Sequence, residues 1–475
     1  MSCNGAPVRA KGLQFKESGT WSFVSSGSFS IRYSPSGSMF DVGGSSLFSK
    51  DVKYIVGFLC SKVANDLLKI ENPTMNFQVG NISDLPLIID KREVIEDIVN
   101  SSILISQLDW DAHETSWDFQ TNELVRIVNW CLGNGQPRNF SISAIVNIYK
   151  SEWDEHFIQL HGNEEELNRQ FIEIYGLQDE LTPDVPLDEV TILQKGEVSI
   201  DDTADHISDK IVWHEDVVIK QLLSYLVGCF MGRYSVDKPG LIIASQGQDL
   251  TALGLKIDGM DNTTESTLSI DDDGIIPIIQ EAEFFADDMT WRVENAIERI
   301  FGKEQFYENM KYIKAKLGMD LRDYFFKDFY ADHLQMYSVK GAKRPIYWLF
   351  SSKMGDKKKK GYFKALVYMH RMEPDTLSKL HADYVHPYLT KIEQQLIETE
   401  DETTRDDLSQ AQRNKALKLV EELRDKVREV KAFETQLVEM ASHRMSIDLD
   451  DGVKTNYPNF YPLVEPIKGL ENSGD

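Results

Sequence analysis

Ala416, Val420, Leu423, Val427, Val430, Phe433, Leu437 and Met440 follow one another at steps of three and four, and this seam constrains the chain most. Such a stripe covers one side of a long helix and has to be buried against another element. Leu389, Ile392 and Leu396 make a second, earlier seam, and the acidic ETEDETTRDD between the two suits a connection. The pattern predicts an antiparallel helical hairpin over residues 376–445. The Pro- and Gly-containing tail, 446–475, is expected to be loosely ordered.

The opposite end has a different period. In GTWSFVSSGSFSIRYSPSGSMFDVGGSSLF, short apolar-polar alternations (Trp21, Phe23; Phe29, Ile31, Tyr33; Met39, Phe40, Val42) are broken by SSG, SPSG and GGSS. That is the pattern of short strands joined by tight turns. Ile55, Phe58, Leu59, Val63, Leu67 and Leu68 then recur at helical spacing, with Asp51 at the start and Pro73 beyond the end. NFQVGNISDLPLII reads as extended. Residues 1–90 are therefore expected to form a small β-rich module.

From 91 to 375 the chain reads as a mixed, largely helical body. DVVIKQLLSYLVGCFM is a core helix, residues 240–290 are loops with short strands, and KRPIYWLFSS and YFKALVYMHR are strands flanking a GDKKKKG turn. The expected fold class is α+β: a small β-rich module, a largely helical body and a C-terminal antiparallel helical hairpin.

The net charge of −26 argues against nucleic acid until it is divided along the chain. Residues 1–90 hold 8 Lys and Arg against 7 Asp and Glu, and residues 301–375 hold 16 against 9. The remainder carries 27 against 61, so the acid is concentrated elsewhere. No run approaches the roughly 18 apolar residues of a membrane helix. MSCNGAPVRAKG has no apolar signal core, and the four cysteines lack paired spacing. A cytoplasmic protein without a membrane partner or disulfide framework is expected.

The sequence shows no GxxxxGK and no GxGxxG after a strand. His381 and His386 stand five apart, which splays them on a regular helix, so no metal site is expected there. Asp41, Asp51 and Lys53 imitate a nuclease triad, but Asp51 fits a helix start better. Asp271, Asp272 and Asp273, like Asp201 and Asp202, read as solvated loops. No catalytic, cofactor-binding or metal residue is assigned. The DNA-binding candidates are cations interleaved with aromatics and small polar residues: Arg9, Lys16, Trp21, Arg32 and Tyr33, together with Lys357, Lys358, Lys359 and Lys360.

Several long blocks resemble a known family. These are GTWSFVSSGSFSIRYSPSGSMFDVGGSSLF, VGFLCSKVANDLLKIENPTMNFQVGNISDLPL, LLSYLVGCFMGRYSVDKPGLIIASQG, LRDYFFKDFYADHLQMY and RPIYWLFSSKMGDKKKKGYFKALVYMHRMEPDTL. They are similar, in order, to the end of the target-recognition domain and the C-terminal region of PglX-type adenine-specific DNA methyltransferases from BREX phage-defence systems. The resemblance implies double-stranded DNA as partner and S-adenosylmethionine as the cofactor of a catalytic N-terminal half. That half requires an Asn-Pro-Pro-Tyr type motif to hold a flipped adenine. Asn72-Pro73-Thr74-Met75 is the nearest string here, and it lacks the second Pro and the aromatic. The expectation is a recognition and assembly portion, inactive alone, with other BREX proteins as further partners. The alternative is an interaction scaffold that does not bind DNA.

Overall fold

Hydroxyl and non-hydroxyl residues alternate in β1 (Ser18–Ser22), so Ser18 and Thr20 take one face and Gly19 and Trp21 the other. The computed structural model describes residues 10–25, 29–41, 43–72, 74–248, 250–258, 266–282, 284–285, 288–405 and 408–470. The chain forms two units, Met1–Asp111 with Lys150–His214, and Ala112–Tyr149 with Glu215–Asp475.

In the first unit β1 is central, with β2 (Arg32–Ser34) and β3 (Gly44–Leu47) antiparallel on either side. A Cβ at Gly19 would meet Ile31 Cδ1 at 2.8 Å, so any larger residue would have to push that side chain aside. The third strand was expected over Met39 to Val42 but lies at Gly44–Leu47 (Val42 is outside the described residues). Asp41 causes the shift: its Oδ1 accepts the Gly43 and Gly44 N–H groups and turns the chain just before the strand.

α1 (Val52–Cys60) covers the inner face of the sheet. The single helix expected here is two, because Ser61 is extended and its Oγ accepts the Ala64 N–H, starting α2 (Lys62–Glu71). Met75 and Phe77 pair back to Ser25 and Phe23. The extended reading fails at α3 (Val79–Ser83), where the Asn81 side chain caps the Gln78 N–H. α4 (Arg92–Asp111) follows; α5 (Glu123–Gly133) belongs to the second unit. α6 (Ile142–Tyr175) is one helix, and from Lys150 onward it belongs to the first unit. Ile95 and Val99 of α4 and Leu167, Phe171 and Ile172 of α6 complete the core around Trp21, Phe29, Tyr54 and Phe58. The β-rich module therefore does not close within residues 1–90. β4 (Val198–Ile200), α7 (Ile207–Lys210) and β5 (Ile211–Trp213) end this unit in an antiparallel pair.

The second unit is built around α8 (Glu215–Met231), buried from Leu222 to Met231 as its apolar run predicts. β6 (Ile275–Pro277) precedes four helices, α9 (Met289–Phe301), α10 (Phe306–Leu317), α11 (Leu321–Lys327) and α12 (Phe329–Met336). After the short pair β7 (Ser338–Val339) and β8 (Ala342–Lys343) come β9 (Tyr347–Ser351) and β10 (Lys364–Tyr368), giving an antiparallel sheet of order β6-β10-β9. Asp271 is not solvated: it is buried, holds the Arg292 guanidinium at 2.8 Å and accepts the Gly274 N–H at 2.6 Å. A buried arginine needs that carboxylate, which draws the acidic turn inward.

α13 (Thr376–Lys379) passes through a π turn, Leu380–Val385, into α14 (His386–Thr403), so the acidic stretch expected to connect the hairpin is largely helical. α15 (Gln410–Ser442) returns antiparallel, with Arg424 on Glu400 and Lys431 on Glu393. Tyr388, Leu389, Ile392, Val420, Leu423, Val430, Phe433 and Leu437 form its buried seam. The tail departs from expectation. Beyond α16 (Val453–Asn456), Tyr457, Phe460, Leu463 and Val464 are buried, and the Ser351 N–H bonds Leu463 O at 2.9 Å. Trp348 packs edge-on against Tyr457 and Phe460, and that apolar contact orders the segment through Leu470.

Candidate nucleic-acid interface

The face of the first sheet turned away from its core carries a groove of about 480 Å³. Strand register puts Ser34 opposite Ser18, and Ser46 opposite Thr20, so all four hydroxyls share that face. Ser38, Met39, Phe40 and Asp41 from the β2–β3 connection and Gly44 of β3 complete the lining. Ser46 Oγ is buried there with no hydrogen-bond partner among the described residues, while Thr20 Oγ1 donates to Ser45 O. Hydroxyls both donate and accept, so such a surface suits the polar edges of bases or sugars better than a chain of phosphates. Sequence reasoning missed Ser18, Thr20, Ser34 and Ser46. Their signal is the alternation with Gly19 and Trp21, which assigns them the outer face.

The candidates from the sequence separate on the structure. Trp21 is 3% exposed, and its indole N–H donates to Phe77 O at 3.0 Å; it is a core residue and cannot stack on a base. Tyr33 also falls on the inner face, opposite Gly19 and half-buried against the core. Its hydroxyl donates to Glu17 at 2.6 Å, and burial, with that bond, pushes it up to about 12. Arg32 pairs with Thr20, yet its guanidinium turns back to donate to Ile31 O. Its charge opposes the burial that drives the Glu164 carboxyl up to about 7. Lys16 is exposed, and Arg9 lies outside the described residues.

The imitation triad does not converge. Asp41 caps its own turn, Asp51 is ion-paired with Arg92 at 2.8 Å, and Lys53 Nζ donates to Asn100.

In the second unit, Lys357, Lys358 and Lys360 are exposed and Lys359 half-buried in the turn between β9 and β10. Glu429, buried on α15, fixes that turn. Its carboxylate accepts the Lys360, Gly361 and Tyr362 N–H groups at 3.1, 2.9 and 3.0 Å, and the Ser352 hydroxyl at 2.7 Å. The Lys360 ammonium lies 5.5 Å from the Tyr362 ring centre, and its interaction with the Tyr362 hydroxyl raises its pKa. Among the described residues Lys357, Lys358 and Lys359 have no ion-pair partner. Asp356 in the same turn accepts the Lys358 N–H with its carboxylate at 2.9 Å, and the exposed ammonium groups beyond it are available to phosphate. Among the described residues no helix is long and apolar enough to cross a membrane.

No family model matches the chain. It is 33% identical over 495 aligned residues to the adenine-specific methyltransferase BrxX of Escherichia coli O9:H4 (strain HS), covering 98% of this chain and 38% of that protein. It is 33% identical over 459 residues to the adenine-specific methyltransferase PglX of Lacticaseibacillus casei (strain Zhang), covering 93% of this chain and 34% of that one. Both agree with the family resemblance read in the sequence. The chain spans little more than a third of the length of either relative.

Proposed function

We propose, from the relationship to the BrxX and PglX adenine-specific methyltransferases, that these 475 residues serve target recognition and assembly in a DNA methyltransferase of BREX phage defence. One observation carries the reading: nearly the whole chain aligns, and it accounts for only 38% and 34% of proteins named for adenine methylation. Methyl transfer from S-adenosylmethionine then belongs to residues outside this sequence, which contains no Asn-Pro-Pro-Tyr motif to hold a flipped adenine.

On this reading the division of labour follows the chemistry. The groove on β1, β2 and β3 offers hydroxyl donors and acceptors, beside the Asp41 carboxylate, for base or sugar edges. The lysine turn offers charge for phosphates, and its attachment to Glu429 limits the entropy lost on binding. The hairpin carries its acid at the end of α14 (Glu398, Glu400, Asp401 and Glu402), which repels DNA there and is open to protein contacts, with the catalytic half and other BREX proteins as the proposed partners. Its charge also favours the second reading, a scaffold that does not contact DNA.

The test is methylation of unmodified DNA by the chain with S-adenosylmethionine, alone and with a catalytic N-terminal half of a relative. Methylation only with the added half supports the proposal. Methylation by the chain alone refutes the division of labour. No methylation in either arm, with no salt-dependent DNA binding, leaves the scaffold.

A further inference from the structure

Pro387 sits inside a helix that does not stop for it. It has no N–H for the carbonyl four residues back, and its ring crowds that carbonyl. The helix opens instead: the His386 N–H bonds His381 O, five residues back, and Leu380–Val385 become a π turn. This reverses the expectation from spacing. Residues five apart diverge on a regular α-helix, whereas a widened turn stacks them. The His381 and His386 ring centres lie 5.7 Å apart.

Both imidazoles meet one carboxylate from the facing helix. His381 Nε2 and His386 Nδ1 lie 3.1 and 2.9 Å from Glu434 Oε1. The three ligand atoms all fall within 4.8 Å of one another.

We propose that His381, His386 and Glu434 form a binding site for a zinc-class divalent transition-metal ion, joining the π turn to α15. Two imidazoles and a carboxylate are a nitrogen-rich set, which favours zinc or cobalt over magnesium or calcium. Metal–ligand bonds of about 2.0–2.2 Å in tetrahedral array separate ligand atoms by roughly 3.4 Å. The observed 2.9 and 3.1 Å contacts need only a small expansion to admit an ion. Access is graded: the Glu434 side chain is 18% exposed, that of His381 30% and that of His386 63%. An ion can enter from the His386 side and keep a water there as its fourth ligand. Without an ion the same residues form a hydrogen-bonded His-Glu-His cluster, and binding replaces both of those bonds.

The experiment uses the untagged full chain, stripped with chelator, titrated with Zn²⁺ alone and then with Co²⁺ alone, with Mg²⁺ as control. The expected result is one Zn²⁺ per chain, tetrahedral Co²⁺ absorption that Zn²⁺ displaces, a rise in melting temperature and no response to Mg²⁺. The double substitution His381→Asn and His386→Asn should weaken binding roughly a hundredfold or more. Should Glu434→Gln unfold the hairpin, His386→Asn alone, at the most exposed ligand, keeps the test decisive. Circular dichroism of each metal-free variant confirms folding. Absence of binding at millimolar Zn²⁺, or stoichiometric binding that survives both histidine changes, overturns the site.

Discussion

The carboxylate of Glu429 accepts the backbone N–H of Gly361 at 2.9 Å, fastening the lysine turn to α15. Replacing it with Ala strands three backbone donors and the Ser352 hydroxyl in a buried place. We expect Glu429→Ala to lose about 2–4 kcal/mol in urea unfolding, and Glu429→Gln less, because the amide keeps one acceptor.

The lysines themselves should matter to DNA and not to the fold. Changing Lys357, Lys358 and Lys359 to Gln is expected to leave urea stability unchanged. It should weaken DNA binding evenly across sequences and flatten the plot of log affinity against log salt by about 0.9 for each phosphate no longer neutralised. Fluorescence anisotropy across a salt series measures both. An unchanged slope would remove the turn from the interface.

Trp21 and Ser34 lie on opposite faces of one sheet and should separate stability from recognition. Trp21→Ala is expected to cost about 3–5 kcal/mol. Ser34→Ala should leave the midpoint almost unmoved while changing which DNA sequences compete best. Competition binding beside thermal unfolding compares the two variants directly.

Glu114 gives a pH test. Burial lifts its carboxyl up to about 7, Tyr337 donates to its Oε2 at 3.3 Å, and Oε1 has no partner among the described residues. Between the ordinary value of 4.5 and 7 the folded state holds a proton that the unfolded state has released, so stability falls as pH rises through that window and then levels off. His333 and His370, pushed down to about 3 and 4 by burial, act oppositely, because the unfolded state gains their protons below 6.5. The difference between wild type and Glu114→Gln isolates the carboxyl. It should change by about 3 kcal/mol between pH 4.5 and 7.

Where apolar period alone decides, the sequence was legible. The run through α8, the YWLFS strand and the seams of Leu389, Ile392, Val420, Leu423 and Phe433 all appear as read. Breaks set by one polar or cyclic residue were not. Ser61 divides one apolar stripe into two helices without disturbing its period, and Asp41 moves β3 along the chain. Pro387 changes the rule by which His381 and His386 are compared. The site was only half legible. A lysine run announces an exposed turn, but composition cannot tell which face of β1 and β2 is outward. Trp21 and Tyr33 look like DNA contacts by residue type, and the small hydroxyls beside them do not stand out. Glu429 lies far along the chain from its turn and has no local signature.

The Leu463 carbonyl and the Glu465 N–H hydrogen-bond along β9, and the aromatic residues just before them pack on Trp348. During synthesis that strand emerges long before these partners. The nascent chain therefore exposes an apolar sheet edge through the making of the entire hairpin, a state open to pairing with neighbouring chains. Ribosome-bound intermediates halted before Leu463 should need chaperone protection that the finished chain does not.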